Sequence, residues 1–153
     1  MNHPHPDLPY PPKLDKGTLR IVALGGLGEI GRNMTVFEYE GKLLVVDCGV
    51  LFPEESQPGI DLILPDFSYI KDRLKDIIAI FLTHGHEDHI GALSTLWPKL
   101  KCKVYATPFA RGLLEVRRLQ EPGAPNIKML PAHAGAVIQE GPFSVEYVAV
   151  AHS

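Results

Sequence analysis

Cysteine is scarce in this chain. The two thiols, Cys48 and Cys102, form no C-x-x-C pair, which argues against a disulfide-stapled scaffold and fits a reducing compartment. Long hydrophobic runs are missing too. No stretch approaches the roughly 20 apolar residues that span a bilayer. The N-terminus has neither the charged region nor the apolar core of a secretory signal. A cytoplasmic location without membrane contact is the expectation. Charge of one sign is also lacking: 15 Lys and Arg stand against 18 Asp and Glu, a net charge of −3. Composition therefore makes no electrostatic case for nucleic acid. The cationic run from Arg111 to Arg118 reads equally well as the wet face of a helix or as an RNA contact. What the chain does have is 153 residues, 45% of them hydrophobic, enough for one domain with a buried core.

Residues 1–17 are rich in proline and carry His3 and His5. Proline removes backbone donors and resists helix, so this stretch reads as an arm, and 18–153 as the folded part. Leu19–Leu24 reads as a strand. Met34–Tyr39 and Lys42–Asp47 read as a hairpin turning at Glu40-Gly41. A long loop from Cys48 to Pro65 leads to a helix capped by Asp66. Ile77–Leu82 is an apolar run with the length of a buried strand. A helix from Asp88 to about Leu96 is expected next, stopped by Pro98. Lys103–Ala106 is a short strand, and Pro108 opens a helix through about Leu119. Ile127–Leu130, Ala136–Gln139 and Phe143–Val150 read as further strands. The fold class is α/β, a layered sheet with helices outside. No internal repeat is visible.

Chemistry concentrates in Thr83-His84-Gly85-His86-Glu87-Asp88-His89. Three imidazoles and two carboxylates leave one strand end together, a set that suits zinc, iron or manganese. In an extended segment, side chains at i and i+2 point the same way, so His84 and His86 can reach one ion. Asp88 and His89 follow at the start of a helix, point elsewhere, and would serve a second ion. Two ions about 3.5–4 Å apart are a known device for phosphoester hydrolysis. The alternative is a solvated histidine-rich loop.

The glycine loop Gly25-Gly26-Leu27-Gly28-Glu29-Ile30-Gly31 spells G-x-G-x-x-G from Gly26. A dinucleotide site needs a helix after that pattern. A strand is expected instead, so a Rossmann reading is rejected. Closely spaced backbone amides at Gly26 and Gly28 could line an anion-binding hollow at the rim of a site. A ligand-free turn remains the equal alternative.

The pattern His84-x-His86-x-Asp88-His89 resembles the signature of the metallo-β-lactamase superfamily. Asp47, at the end of Leu43-Leu44-Val45-Val46-Asp47, matches an aspartate that ends an early strand there, and His152 matches the third ligand motif. The stretches Leu24–Met34, Asp47–Pro53 and Gly59–Phe67 resemble the start of the ribonuclease J family, in the β-CASP branch. The likeness runs from about Leu19 to Ser153.

This resemblance implies an αββα sandwich of which only the first part is present, without the β-CASP insertion. It implies two divalent ions, Zn2+ and/or Mn2+, that activate water against RNA phosphodiesters. His84, His86 and His152 would hold the first ion, and Asp88 and His89 part of the second. A bridging aspartate would lie beyond Ser153. Asp47 would orient a ligand histidine, a task carboxylates often perform. Endonuclease and 5′-to-3′ exonuclease action on RNA is implied for the whole enzyme, which is expected to be a homo-oligomer. Residues 1–153 by themselves are expected to be inactive. The other readings are a small-molecule hydrolase of the same superfamily and an inactive assembly module.

Overall fold

The computed structural model describes residues 12–152. Most of the arm expected over 1–17, with His3 and His5, lies outside the described residues, as does Ser153.

Among the described residues, eight strands form two sheets. β1 (Arg20–Gly25), β2 (Met34–Tyr39), β3 (Lys42–Val46), β4 (Ile77–Phe81), β5 (Lys103–Ala106) and β6 (Met129–Pro131) make a six-stranded sheet in sequence order. The first three strands are antiparallel, and β3 to β6 run parallel. β7 (Val137–Glu140) and β8 (Phe143–Glu146) form a separate antiparallel pair.

The turn between β2 and β3 falls at Glu40 and Gly41. Both have positive φ, 48° and 74°, as a two-residue hairpin turn requires to match the twist of its strands. Asp66 Oδ1 accepts from the Ser68 amide at 2.9 Å, but the segment it caps, Phe67–Asp76, is 3-10 and kinks at Arg73. Thr107 caps α3 (Pro108–Gln120), its hydroxyl accepting from the Ala110 amide, with Pro108 in the first turn.

Alternation along the strands divides the core. Met34, Val36, Leu43, Val45, Ile80 and Val104 face one way and pack against the helices. Leu44, Ala79 and Phe81 face the other way and meet Ile138, Phe143 and Val145 of the β7–β8 pair. Phe81 stacks on Tyr105 with ring centroids 4.8 Å apart. The layers are thus helix, sheet, and the beginning of a second sheet.

Two further expected elements come out differently. The helix over 88–96 is broken into α1 (Glu87–Ile90) and α2 (Leu93–Leu100). The carbonyl of Asp88 accepts from the Asn33 amide at 2.9 Å, and the Ala92 amide donates to Cys48 O at 2.9 Å. Both groups are therefore drawn out of the helical ladder. Pro98 does not stop α2 but lies within it. The proline removes a bond only to Ser94 O, and the helix ends at Lys101, whose φ is 45°. β8 ends at Glu146 rather than Val150. Tyr147 still pairs with Ala136 and Gly135. Gly135 has a φ of 81°, so the chain turns there, and residues 148–152 extend past the end of their partner.

Candidate metal centre

The site lies past the ends of β3 and β4. There, three backbone segments lock together. Arg32 N donates to Val50 O at 2.8 Å, Gly49 N to Asn33 O at 3.0 Å, Cys48 N to His89 O at 2.8 Å and Val50 N to Glu87 O at 3.1 Å. Gly49 is pressed so close to α1 that a Cβ there would stand 1.6 Å from Asp88 O. That contact is with backbone, so only glycine fits.

β4 is followed by Thr83, His84 and His86. Tyr147, on the segment that carries His152, donates its hydroxyl hydrogen to Leu82 O at 2.9 Å. The bond ties the end of the second sheet to the end of β4. Burial, chiefly, pushes the Tyr147 phenol far up, so it stays a donor at neutral pH.

His84 Nε2 lies 3.1 Å from His86 Nδ1, and His152 Nε2 lies 3.0 Å from the same atom. One nitrogen from each of the three rings falls within 4.8 Å of the others. Two ligand nitrogens on a tetrahedral zinc, with bonds of about 2.0–2.1 Å, stand roughly 3.3 Å apart. The cluster fits a divalent ion.

Hydrogen bonds behind the cluster set the tautomers. Thr83 Oγ1 is 2.9 Å from His84 Nδ1 and 2.9 and 3.0 Å from the two oxygens of Asp47. The hydroxyl has one proton, and a carboxylate is the stronger acceptor. Thr83 therefore donates to Asp47 and accepts from His84 Nδ1, leaving the His84 Nε2 lone pair toward the cluster. Burial first, then the other imidazoles, pushes the His84 pKa down, which favours the neutral form a metal needs.

His89 differs. Its Nδ1 lies 2.7 Å from Asp47 Oδ2, and this bond raises its pKa. Its Nε2 faces Asp88 Oδ2 at 3.4 Å. Asn33 Nδ2 stands 3.2 Å from Asp88 Oδ2 and 3.4 Å from His89 Nε2. The His84 and His89 rings are 4.1 Å apart. Asp88 and His89 thus form a pair beside the triple cluster. Asp47 is buried, with a φ of 64°, and its carboxylate is engaged by Thr83 and His89.

Gly26 and Gly28 have φ of 80° and 74°. The Gly26 amide donates to Glu29 Oε1 at 3.2 Å, so it is occupied within its own loop. β2 follows the loop, not a helix. Asn33 and Thr83 were not singled out from the sequence as site residues. Their signal was adjacency: Asn33 follows the glycine loop, and Thr83 precedes the first histidine.

The fold and the cluster define a class, and comparison with known proteins agrees. The family model of the Metallo-beta-lactamase superfamily matches residues 27–144, and the chain belongs to that superfamily. A solved structure, "Rm3 metallo-beta-lactamase", is 25% identical with a TM-score of 0.50, and the match covers 74% of this chain and 44% of that one.

Within the superfamily the chain is similar to proteins named Ribonuclease J. It is 49% identical to that of Mycobacterium tuberculosis (strain ATCC 25618 / H37Rv) over 149 residues, 96% of this chain and 26% of the relative. It is 38% identical to Ribonuclease J2 of Bacillus subtilis (strain 168) over 141 residues, 92% of this chain and 25% of the relative. The chain spans about a quarter of the length of these curated relatives. Among the described residues, no helix is long and apolar enough to cross a membrane.

Proposed function

We propose that the protein is a metal-dependent ribonuclease that hydrolyses RNA phosphodiesters in RNA maturation and decay. Residues 18–153 form the N-terminal part of its metallo-β-lactamase domain, and 1–17 an arm. The observation that carries this reading is the convergence of His84, His86 and His152 in a chain 49% identical to a Ribonuclease J. Endonuclease and 5′-to-3′ exonuclease action, homo-oligomeric assembly and a cytoplasmic location belong to the same proposal. The two cysteines, buried and half-buried, support a reducing compartment.

His84, His86 and His152 would hold one divalent ion, and Asp88 and His89 would contribute to a second. The all-imidazole set suits zinc, and the set with a carboxylate suits manganese. Bound there, the ions would lower the pKa of water and neutralise charge on the phosphoryl oxygens. The chain's own groups prepare the site. Asp47 holds His89 by Nδ1 and holds Thr83, which holds His84. Asn33 pins the Asp88 carboxylate against His89. The apolar residues Val46, Phe81 and Val145 line the cavity that the cluster also lines.

The test is His84→Ala in the full-length natural protein, assayed on labelled RNA with metal content measured in parallel. Hydrolysis should fall by more than the roughly 100-fold that outer-sphere changes cost, with loss of bound metal and retention of the fold. RNA turnover near that of wild type in a metal-depleted variant would overturn the assignment. Activity on thioesters or lactones with none on RNA would move the protein to the small-molecule hydrolases.

A further inference from the structure

A cavity of about 840 Å³ opens beside the histidine cluster, lined by His84, His86, His152 and Phe109 among others. None of its described lining residues is lysine or arginine. A polyanionic strand entering it gains little from cationic side chains there, so beyond the histidine cluster this surface is suited to recognise a part of the strand other than phosphate. The lining offers apolar surface with one strongly exposed aromatic ring.

That ring is Phe109, in the first turn of α3 and 71% exposed. A phenylalanine exposed to this extent adds nothing to the core formed by the described residues. Its position is set by Gly85, the residue between His84 and His86. A Cβ at Gly85 would stand 2.8 Å from Leu113 Cδ1 and 3.3 Å from two atoms of the Phe109 ring. Glycine there lets α3 approach the backbone between two of the clustered histidines. The Thr107 cap and Pro108 anchor the turn that carries the ring. An aromatic face held within one residue of the cluster is suited to a flat, apolar group covalently attached to whatever reacts there.

We propose that Phe109 is a stacking platform for one base of a single-stranded RNA whose phosphodiester lies at the histidine cluster; this rests on the ribonuclease reading above. Stacking on an aromatic side chain is tolerant of sequence, because every base has a π face, and is worth about 1–3 kcal/mol per base. Phe109 is thus a binding residue for the base adjoining the scissile bond. It would favour single strands, whose bases are free to splay, over duplex.

The experiment measures binding rather than turnover. Full-length natural protein, freed of metal with EDTA, is titrated with short single-stranded oligoribonucleotides that carry one 2-aminopurine at successive positions. Each has a partner that is abasic at the same position. Wild type should quench 2-aminopurine at one position. Phe109→Ala should abolish that quench and weaken binding about 5- to 150-fold, with Phe109→Trp restoring both. The oligonucleotide abasic at that position should bind Phe109→Ala and wild type alike. The dependence of affinity on salt should keep its slope, because no phosphate contact is lost. Equal affinity of Phe109→Ala and wild type for the intact strand, or an equal loss on the abasic strand, would overturn the platform. If wild type with metal still cleaves RNA in that case, the ribonuclease reading stands and only the platform falls. If wild type neither binds nor cleaves RNA, both fall.

Discussion

Asp47 shows how one side chain can govern several others. It sits past the end of β3 with a left-handed φ of 64°, a conformation that costs most non-glycine residues energy and is tolerated better by Asp. In that position one oxygen accepts from the Thr83 amide at 2.8 Å and the other lies 2.7 Å from His89 Nδ1. Asp47 thereby sets the tautomer of His89 directly and that of His84 through Thr83. Asp47→Asn should lower metal affinity and activity by about 10–100-fold without eliminating them. An amide can still occupy the space but loses the charge that holds three donors, the Thr83 amide and hydroxyl and His89 Nδ1. Metal titration of the purified variant decides the point: unchanged affinity and rate would reduce Asp47 to a turn residue.

At the scale of elements, the second sheet has to be held at a fixed distance from the first, because it carries the segment with His152. Glu140, at the end of β7, does part of this. Its Oε1 accepts from Lys103 Nζ at 2.8 Å and from the Tyr105 hydroxyl at 2.6 Å, both on β5. Burial pushes the Glu140 carboxyl up, yet the bonds from Lys103 and Tyr105 together outweigh it and the net shift is downward from 4.5. A carboxyl whose folded pKa lies below its unfolded one contributes stability above the unfolded value. That contribution is lost as pH falls through the folded value. Glu140→Gln should therefore destabilise by about 1–2 kcal/mol at pH 7. The lysine is exposed, which keeps the figure modest. The gap between variant and wild type should close as pH falls below 4.5. Denaturant melts at pH 7 and below pH 4 measure it, and an equal gap at both would mean that charge plays no part.

For the molecule as a whole, the count of ligands decides what the residues can do together. Three imidazoles converge, whereas Asp88 and His89 are only a pair among the described residues. Two ligands hold an ion far less firmly than three. Residues 1–153 alone should bind about one zinc per chain with useful affinity and a second only weakly. They should cleave RNA at a negligible rate beside the full-length protein, because a poorly positioned centre forfeits the advantage of geometry. Equilibrium dialysis with zinc or manganese, and RNA cleavage by both forms, test this. Two equally tight ions and comparable specific activity would show that the centre is finished by these residues.

Most strands and the place of the histidines were legible because they are written in local terms. Apolar alternation, Glu40-Gly41 at a turn, Pro108 at a helix start, and His84-x-His86 at a strand end each depend on neighbours only a few residues away. The resemblance carried by these motifs extended to the layered α/β fold and to the superfamily. What sequence alone misjudged was long-range. Within the helix over 88–96 only Gly91 weakens the ladder, by too little to end a helix on its own. The helix breaks because Asn33, 55 residues upstream, takes the Asp88 carbonyl, and because Cys48 takes the Ala92 amide. Likewise adjacency to the glycine loop and to His84 is all that marks Asn33 and Thr83 locally; the partners that give them their roles, Asp88 and Asp47, lie 55 and 36 residues away. Period and turn chemistry determined the elements, while hydrogen bonds between distant segments decided where the elements stop and which nitrogens face the cluster. Those bonds exist only once the sheet has brought the segments together.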